Sequence, residues 1–113
     1  MKYFTKDEFQ QDGMTVYGKM DSVFLEQLDL LRENYGKPIF IRSSWRSPAK
    51  NQEVGGAPNS YHLSGRAVDI TCSNGYDRLA LVREAIKLGL SVGVSNRFVH
   101  VDNRKTQLVY GYD

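Results

Sequence analysis

Two segments of helical period are the longest regular stretches of this 113-residue chain, and they leave room only for short strands and loops around them. In the first, Val23, Phe24, Leu25, Leu28, Leu30 and Leu31 recur at three- and four-residue spacing between charged positions. Asp21 or Ser22 can cap its start, Gly36 can close it, and Pro38 prevents its continuation. In the second, Asp77 to Leu88, the apolar positions are Leu79, Leu81, Val82, Ala85, Ile86 and Leu88, with Gly89 as the stop. A third, shorter helix is expected over Thr5 to Gln11, where Thr5 and Glu8 form a capping-box pattern that Gly13 ends. Strands are expected at Ile39–Trp45, Arg66–Thr71, Ser91–Ser95, Phe98–Asp102 and Gln107–Tyr110, where β-branched and aromatic residues gather between turn residues. With helices grouped early and only one between the strands, the order predicts an α+β fold: a mainly antiparallel sheet with helices packed on it.

This length suits one domain spanning residues 1–113, large enough to bury a core without staples. Hydrophobic residues make up 41% and charged residues 25%, ordinary values for a folded chain. The net charge of +2 comes from 15 basic and 13 acidic residues scattered without a stripe, which argues against a nucleic-acid partner. No apolar run reaches membrane-spanning length, and the N-terminus lacks the apolar stretch of a signal peptide. Synthesis in the cytoplasm, no membrane association and a monomeric state are the expectations. Cys72, the sole cysteine, permits neither an intrachain disulfide nor a thiolate cage for zinc, and its strand-like setting reads as inert packing. Any metal site must therefore use histidine and carboxylate.

The chain has two histidines. His62 ends a polar, Gly/Pro/Asn-rich stretch from Arg46 to Ser64, read as a long loop of the kind that carries function. Asp69 stands on the following strand between Val68 and Ile70, so alternation turns it to the opposite face. On Phe98–Asp102 the same alternation puts His100 and Asp102 together, away from Val99 and Val101. His62, Asp69 and His100 would give zinc three ligands and an open fourth position, the pattern of a catalytic site. Spacing alone does not separate this from hydrogen-bonded histidines beside a salt-bridged aspartate.

The neighbouring residues carry more. Ser43-Ser44-Trp45-Arg46, then Ser60-Tyr61-His62-Leu63-Ser64-Gly65-Arg66-Ala67-Val68-Asp69-Ile70, then Phe98-Val99-His100-Val101-Asp102 resemble the patterns S-G-[YW]-R, S-x-H-x-x-G-x-A-x-D-[IL] and F-V-H-x-D of the zinc peptidases of family M15. Asn51 and Gly55-Gly56 fall in matching places, and Tyr3-Phe4-Thr5 with the segment Leu31 to Ile39 resembles subfamily A, the D-Ala-D-Ala carboxypeptidase branch. The resemblance implies the fold shared by these peptidases and the Hedgehog signalling domain. It implies Zn2+ held by His62, Asp69 and His100, and Arg46 bound to substrate and to the charge developing on the attacked carbonyl. Ser60, Trp45 and Tyr61 are expected at the substrate, with Tyr17, Tyr76, Tyr110 and Tyr112 as further candidates for a groove wall. The implied substrate is the D-amino-acid-containing stem peptide of peptidoglycan, cut by a carboxypeptidase or an endolysin-type endopeptidase.

Two positions depart from the family pattern. Ser44 stands where glycine is usual, and Arg97 stands three residues before His100, where many relatives carry the acidic general base. Arginine cannot accept that proton. Asp102 is the nearest carboxylate for the role, or else it orients the His100 imidazole. The alternative to an enzyme is a catalytically weak or inactive zinc-stabilised module that binds the wall or builds a phage particle.

Overall fold

The computed structural model describes residues 1–112. A five-stranded sheet, β3 (Ile41–Ser43), β4 (Ala67–Thr71), β5 (Ser91–Val94), β6 (Phe98–Asp102) and β7 (Val109–Gly111), has the spatial order β3-β4-β6-β5-β7. β7 runs parallel to β5, while the other pairings are antiparallel. The parallel pairing needs only a short connection, because β6 ends beside the start of β5, with Asp102 opposite Ser91. A two-stranded hairpin of β1 (Gln10–Gln11) and β2 (Met14–Thr15) lies apart from this sheet.

Alternation along the strands divides the two faces. Val68, Ile70, Val92, Val99 and Val101 are fully or almost fully buried and join the core with Phe24, Leu28 and Leu31 of α1 (Ser22–Tyr35) and Leu81 and Ala85 of α3 (Gly75–Lys87). The other face carries Asp69, His100 and Asp102, all nearly inaccessible as well. α1 is capped as its sequence predicts, with Asp21 accepting from the Phe24 N–H at 2.9 Å, whereas α3 begins at Gly75, two residues before the expected Asp77, because Asn74 caps it by accepting from the Asp77 N–H at 2.9 Å. Gly36 closes α1 at φ 78°.

Four further expectations need correction. The helix over Thr5–Gln11 is a single 3-10 turn, Lys6–Glu8: the capping contacts form, with Thr5 N–H to Glu8 Oε2 at 2.7 Å, but Phe9 is buried and the chain enters the hairpin. Asp12-Gly13, both at positive φ, makes that turn, the sequence signal for a tight hairpin. The strand over Ile39–Trp45 is confined to Ile41–Ser43, with a register irregularity between those two residues, and Phe40 before it is 65% exposed although its carbonyl still accepts from the Thr71 N–H at 2.9 Å. The loop from Arg46 to Ser64 contains α2 (Pro48–Glu53), started by Ser47 accepting from the Lys50 N–H with proline in the first turn, and a 3-10 turn at Tyr61–Ser64. The last strand is Val109–Gly111 rather than Gln107–Tyr110.

Gly65 joins the His62 turn to β4. Its φ is 70°, its carbonyl accepts from the Asp21 N–H at 3.0 Å, and a Cβ there would run into the Lys19 carbonyl and the Met20 backbone. Gly65→Ala is therefore expected to destabilise the protein by on the order of 1–3 kcal/mol, read as a lowered denaturant midpoint. An unchanged midpoint would remove the claim that this approach is tight.

A candidate metal centre at the floor of an open cavity

His62, Asp69 and His100 converge although they come from three elements. The turn begun by Ser60, whose hydroxyl accepts from the His62 N–H at 3.2 Å, brings His62 in, and the β4–β6 register puts Asp69 directly opposite His100. Asp69 Oδ1 lies 3.2 Å from His62 Nε2 and 3.0 Å from His100 Nδ1, and one ligand atom from each residue falls within 4.8 Å of the others. All three side chains are buried, with residue exposures of 2%, 6% and 4%.

The remaining ring nitrogens have fixed partners. His62 Nδ1 is 2.7 Å from the Ser44 carbonyl oxygen, which can only accept, so that nitrogen carries the proton. His100 Nε2 is 2.7 Å from Asp102 Oδ2, and Asp102 is held as a carboxylate by two bonds from the Arg104 guanidinium, at 2.9 and 2.6 Å. In both rings the nitrogen turned toward Asp69 is thus left with its lone pair whenever the ring is neutral. Two lone pairs and a carboxylate oxygen aimed at one small space need either protons or a cation between them.

The same tension is visible in the acid–base balance. Burial works to raise the Asp69 pKa, but the hydrogen bonds from His100 and His62 and their charges outweigh it and hold the carboxyl well below its usual range. For His100, burial works to lower the imidazolium pKa, and the hydrogen bonds to Asp102 and Asp69 reverse this to a net increase. Asp102 is likewise lowered against its burial by Arg104 and His100.

Above the cluster opens a cavity of about 1140 Å³. Arg46 lies at its edge with its donors fixed: Nε to Ser43 Oγ at 3.3 Å, Nη1 to Asn51 Oδ1 at 3.3 Å and Nη2 to Asp69 Oδ2 at 3.2 Å. Gly56 is needed beside it, since a Cβ there would strike the Asn51 amide and the Arg46 guanidinium. Ser60, Trp45 and Tyr61 line the cavity. Trp45 is anchored by Nε1–H to the Leu63 carbonyl at 3.0 Å, and the Ser60 hydroxyl caps the turn that carries His62. Tyr110 and Tyr112 line it too, whereas Tyr76 is 90% exposed on α3 and Tyr17 packs edge-on against Phe9.

Asp102 lies behind His100, fully buried, with both carboxylate oxygens engaged, and it does not line the cavity. Arg97 is exposed and outside the cavity as well. Among the described residues the cavity-lining carboxylates are Asp12, paired with Lys50 at 2.9 Å, and Asp69. Sequence reasoning missed Arg104, which lines the cavity with its guanidinium over the rings of Tyr61 and Tyr110, 5.0 and 5.5 Å from their centroids. It also missed Phe98 and Arg42 on the rim. No periodic or motif signal marks Arg104, whose place depends on the chain turning back after β6.

Comparison with known proteins bears on the fold and the family. Curated proteins offer no match by sequence. Among solved structures, the L-Ala D-Glu endopeptidase ChiX of Serratia marcescens superposes with a TM-score of 0.54 at 19% identity, over 75% of this chain and 80% of its own, a likeness of fold. The family model described as Peptidase M15 matches residues 2–102, which hold the His-Asp-His cluster and Arg46. The chain belongs to the peptidase M15 family.

Proposed function

We propose that the protein is a zinc-dependent peptidase that cleaves D-amino-acid-containing stem peptides of peptidoglycan. The observation that carries this reading is the His62–Asp69–His100 cluster at the floor of an open cavity, with Arg46 locked against Asp69. Donor atoms around a tetrahedral zinc with bonds of about 2.0–2.2 Å are separated by roughly 3.3–3.6 Å. The 3.0 and 3.2 Å contacts at Asp69 Oδ1 need only a small expansion to accept it. Nitrogen and carboxylate donors with no thiolate suit a catalytic rather than a structural zinc site. When bound, zinc supplies Lewis acidity, polarising a carbonyl and making water acidic enough to attack near neutral pH.

The chain's own residues supply the rest. Arg46 is a permanently charged donor whose position is fixed before substrate arrives, suited to an oxygen that gains negative charge. Ser44 and Asp102 fix the tautomers and orientations of His62 and His100. In this reading Asp102 is a positioning residue, because its oxygens are occupied behind the imidazole and do not face the cavity. Family membership and the fold shared with an L-Ala D-Glu endopeptidase support a wall peptide as substrate. Of the four cavity cations among the described residues, Arg46, Lys50 and Arg104 are paired with Asp69, Asp12 and Asp102, which leaves Arg42 on the rim as the cation that favours a peptide bearing a free carboxylate.

Digestion of purified peptidoglycan, with and without a chelator, tests the proposal: stem-peptide fragments with new termini should appear and should vanish when metal is stripped. A protein that binds one equivalent of zinc yet releases nothing would favour the second reading, a zinc-stabilised module without turnover. One observation supports that reading, the exposed Arg97 in place of an acid. Asp102→Asn is expected to weaken zinc binding roughly 10–100-fold, measured by competition with a chromophoric chelator. Wild-type affinity in that variant would mean that Asp102 does not prepare the His100 ligand.

A further inference from the structure

The last strand brings two side chains to the metal centre that the reading above leaves without a task. Tyr110 and Tyr112 alternate along β7 and its continuation, so both point to the same face of the sheet. Gly93 on β5 is paired with His100 of β6 on one side and with Tyr110 of β7 on the other, so the three form a row across neighbouring strands. A Cβ on Gly93 would come within 2.7–2.8 Å of ring atoms of both tyrosines. Its φ is not in the left-handed region, so the need for glycine is one of space. Through that space the rings lean to 6.0 and 6.5 Å from the His100 ring, centroid to centroid, and 5.6 Å from each other. Phe98, 5.0 Å from Tyr112, closes the wall.

Among the described residues the cavity lacks a free acid: Asp12 is paired with Lys50, Asp69 belongs to the His-Asp-His cluster, and Arg97 lies outside. Phenols are protonated at neutral pH and donate one O–H each. Both residues follow position 102, where the match to the family model ends.

We propose that Tyr110 and Tyr112, admitted by Gly93, are substrate-contacting hydrogen-bond donors of this centre, directed at the oxygen on which negative charge develops. The consequence for turnover rests on the peptidase reading, while the contact itself does not.

A phosphinic pseudodipeptide, whose tetrahedral anionic oxygens imitate an attacked carbonyl, separates the two questions. Its binding to the zinc-loaded protein is measured by calorimetry, with zinc content determined on the same samples. In the double variant Tyr110→Phe/Tyr112→Phe, which keeps both rings, zinc should remain at one equivalent and the probe should bind at least ten-fold more weakly. Gly93→Ala, which displaces the rings without removing a hydroxyl, should also weaken the probe ten-fold or more. A smaller loss in the double variant, or no binding by the wild type, would overturn the donor role. If the wild type binds the probe but releases no peptide from peptidoglycan, the peptidase reading fails while the affinity comparison still decides the role of the phenols. With turnover present, the double variant should lower kcat more than it raises KM.

Discussion

His100→Ala should leave the protein unable to retain zinc through gel filtration, and stem-peptide release should fall to the chelated baseline. His62→Ala should do the same. Among the described residues three ligating side chains converge on the site and each variant removes one of them, with no further histidine in the chain to replace it. Loss of a ligand should exceed the roughly 10–100-fold cost of losing a hydrogen bond to a ligand, so binding should drop well below the Asp102→Asn level. Folding provides an independent readout. A metal that binds only the native state stabilises it by RT ln(1 + [L]/Kd), about 2.7 kcal/mol at a hundred-fold excess over Kd. Added zinc should therefore raise the melting temperature of the wild type and leave both variants unmoved. Wild-type stoichiometry and a full zinc-induced shift in either variant would exclude that residue as a ligand.

How much of this centre was legible in sequence follows from how each part is held. His100, Asp69 and Asp102 are fixed by strand alternation, a local rule, so their shared face can be read directly from Val68-Asp69-Ile70 and Val99-His100-Val101-Asp102. That the two strands are neighbours in exact register, Asp69 opposite His100, is a long-range fact that alternation does not contain. The same division holds for the fold. The amphipathic helices α1 and α3 are visible in periodicity and the α1 caps in Asp21 and Gly36, while the Asn74 cap that starts α3 at Gly75 reads in the sequence only as part of a turn. The shortening of β3, the parallel pairing of β7 and the return of Arg104 over Tyr61 depend on neighbours distant in sequence. Other misses had readable signals: Ser47-Pro48 is a helix start as well as a turn, and Asp12-Gly13 is a hairpin turn as well as a helix stop.

Asp102 marks the point where sequence pattern and chemistry separate. Its strand face makes it a neighbour of His100 and so a candidate base in place of the missing acid at Arg97. The paired Arg104 guanidinium and the His100 ring take up its oxygens, which suits holding a ligand and not accepting a proton in the cavity. Burial without an open oxygen is information that only the folded chain carries.

Arg46→Ala should lower kcat for stem-peptide release by about 10²–10³-fold, the usual cost of removing one preorganised donor from a developing oxyanion. Its zinc content should stay near one equivalent, since none of the three converging ligand atoms belongs to it. The guanidinium is held by Ser43, Asn51 and Asp69 and lines the cavity, so its charge is positioned without reorganisation. Arg46→Lys should recover little of the loss: the three donors of an ammonium radiate from one nitrogen and cannot span the acceptors that Nε, Nη1 and Nη2 reach separately, and its more flexible stem would have to be ordered anew. The pair of variants also separates catalysis from structure. A role confined to bracing Asp69 would appear as reduced zinc affinity with kcat preserved at saturating zinc, whereas an oxyanion role appears as lost kcat at full zinc occupancy. Wild-type kcat in fully loaded Arg46→Ala would remove Arg46 from the reaction.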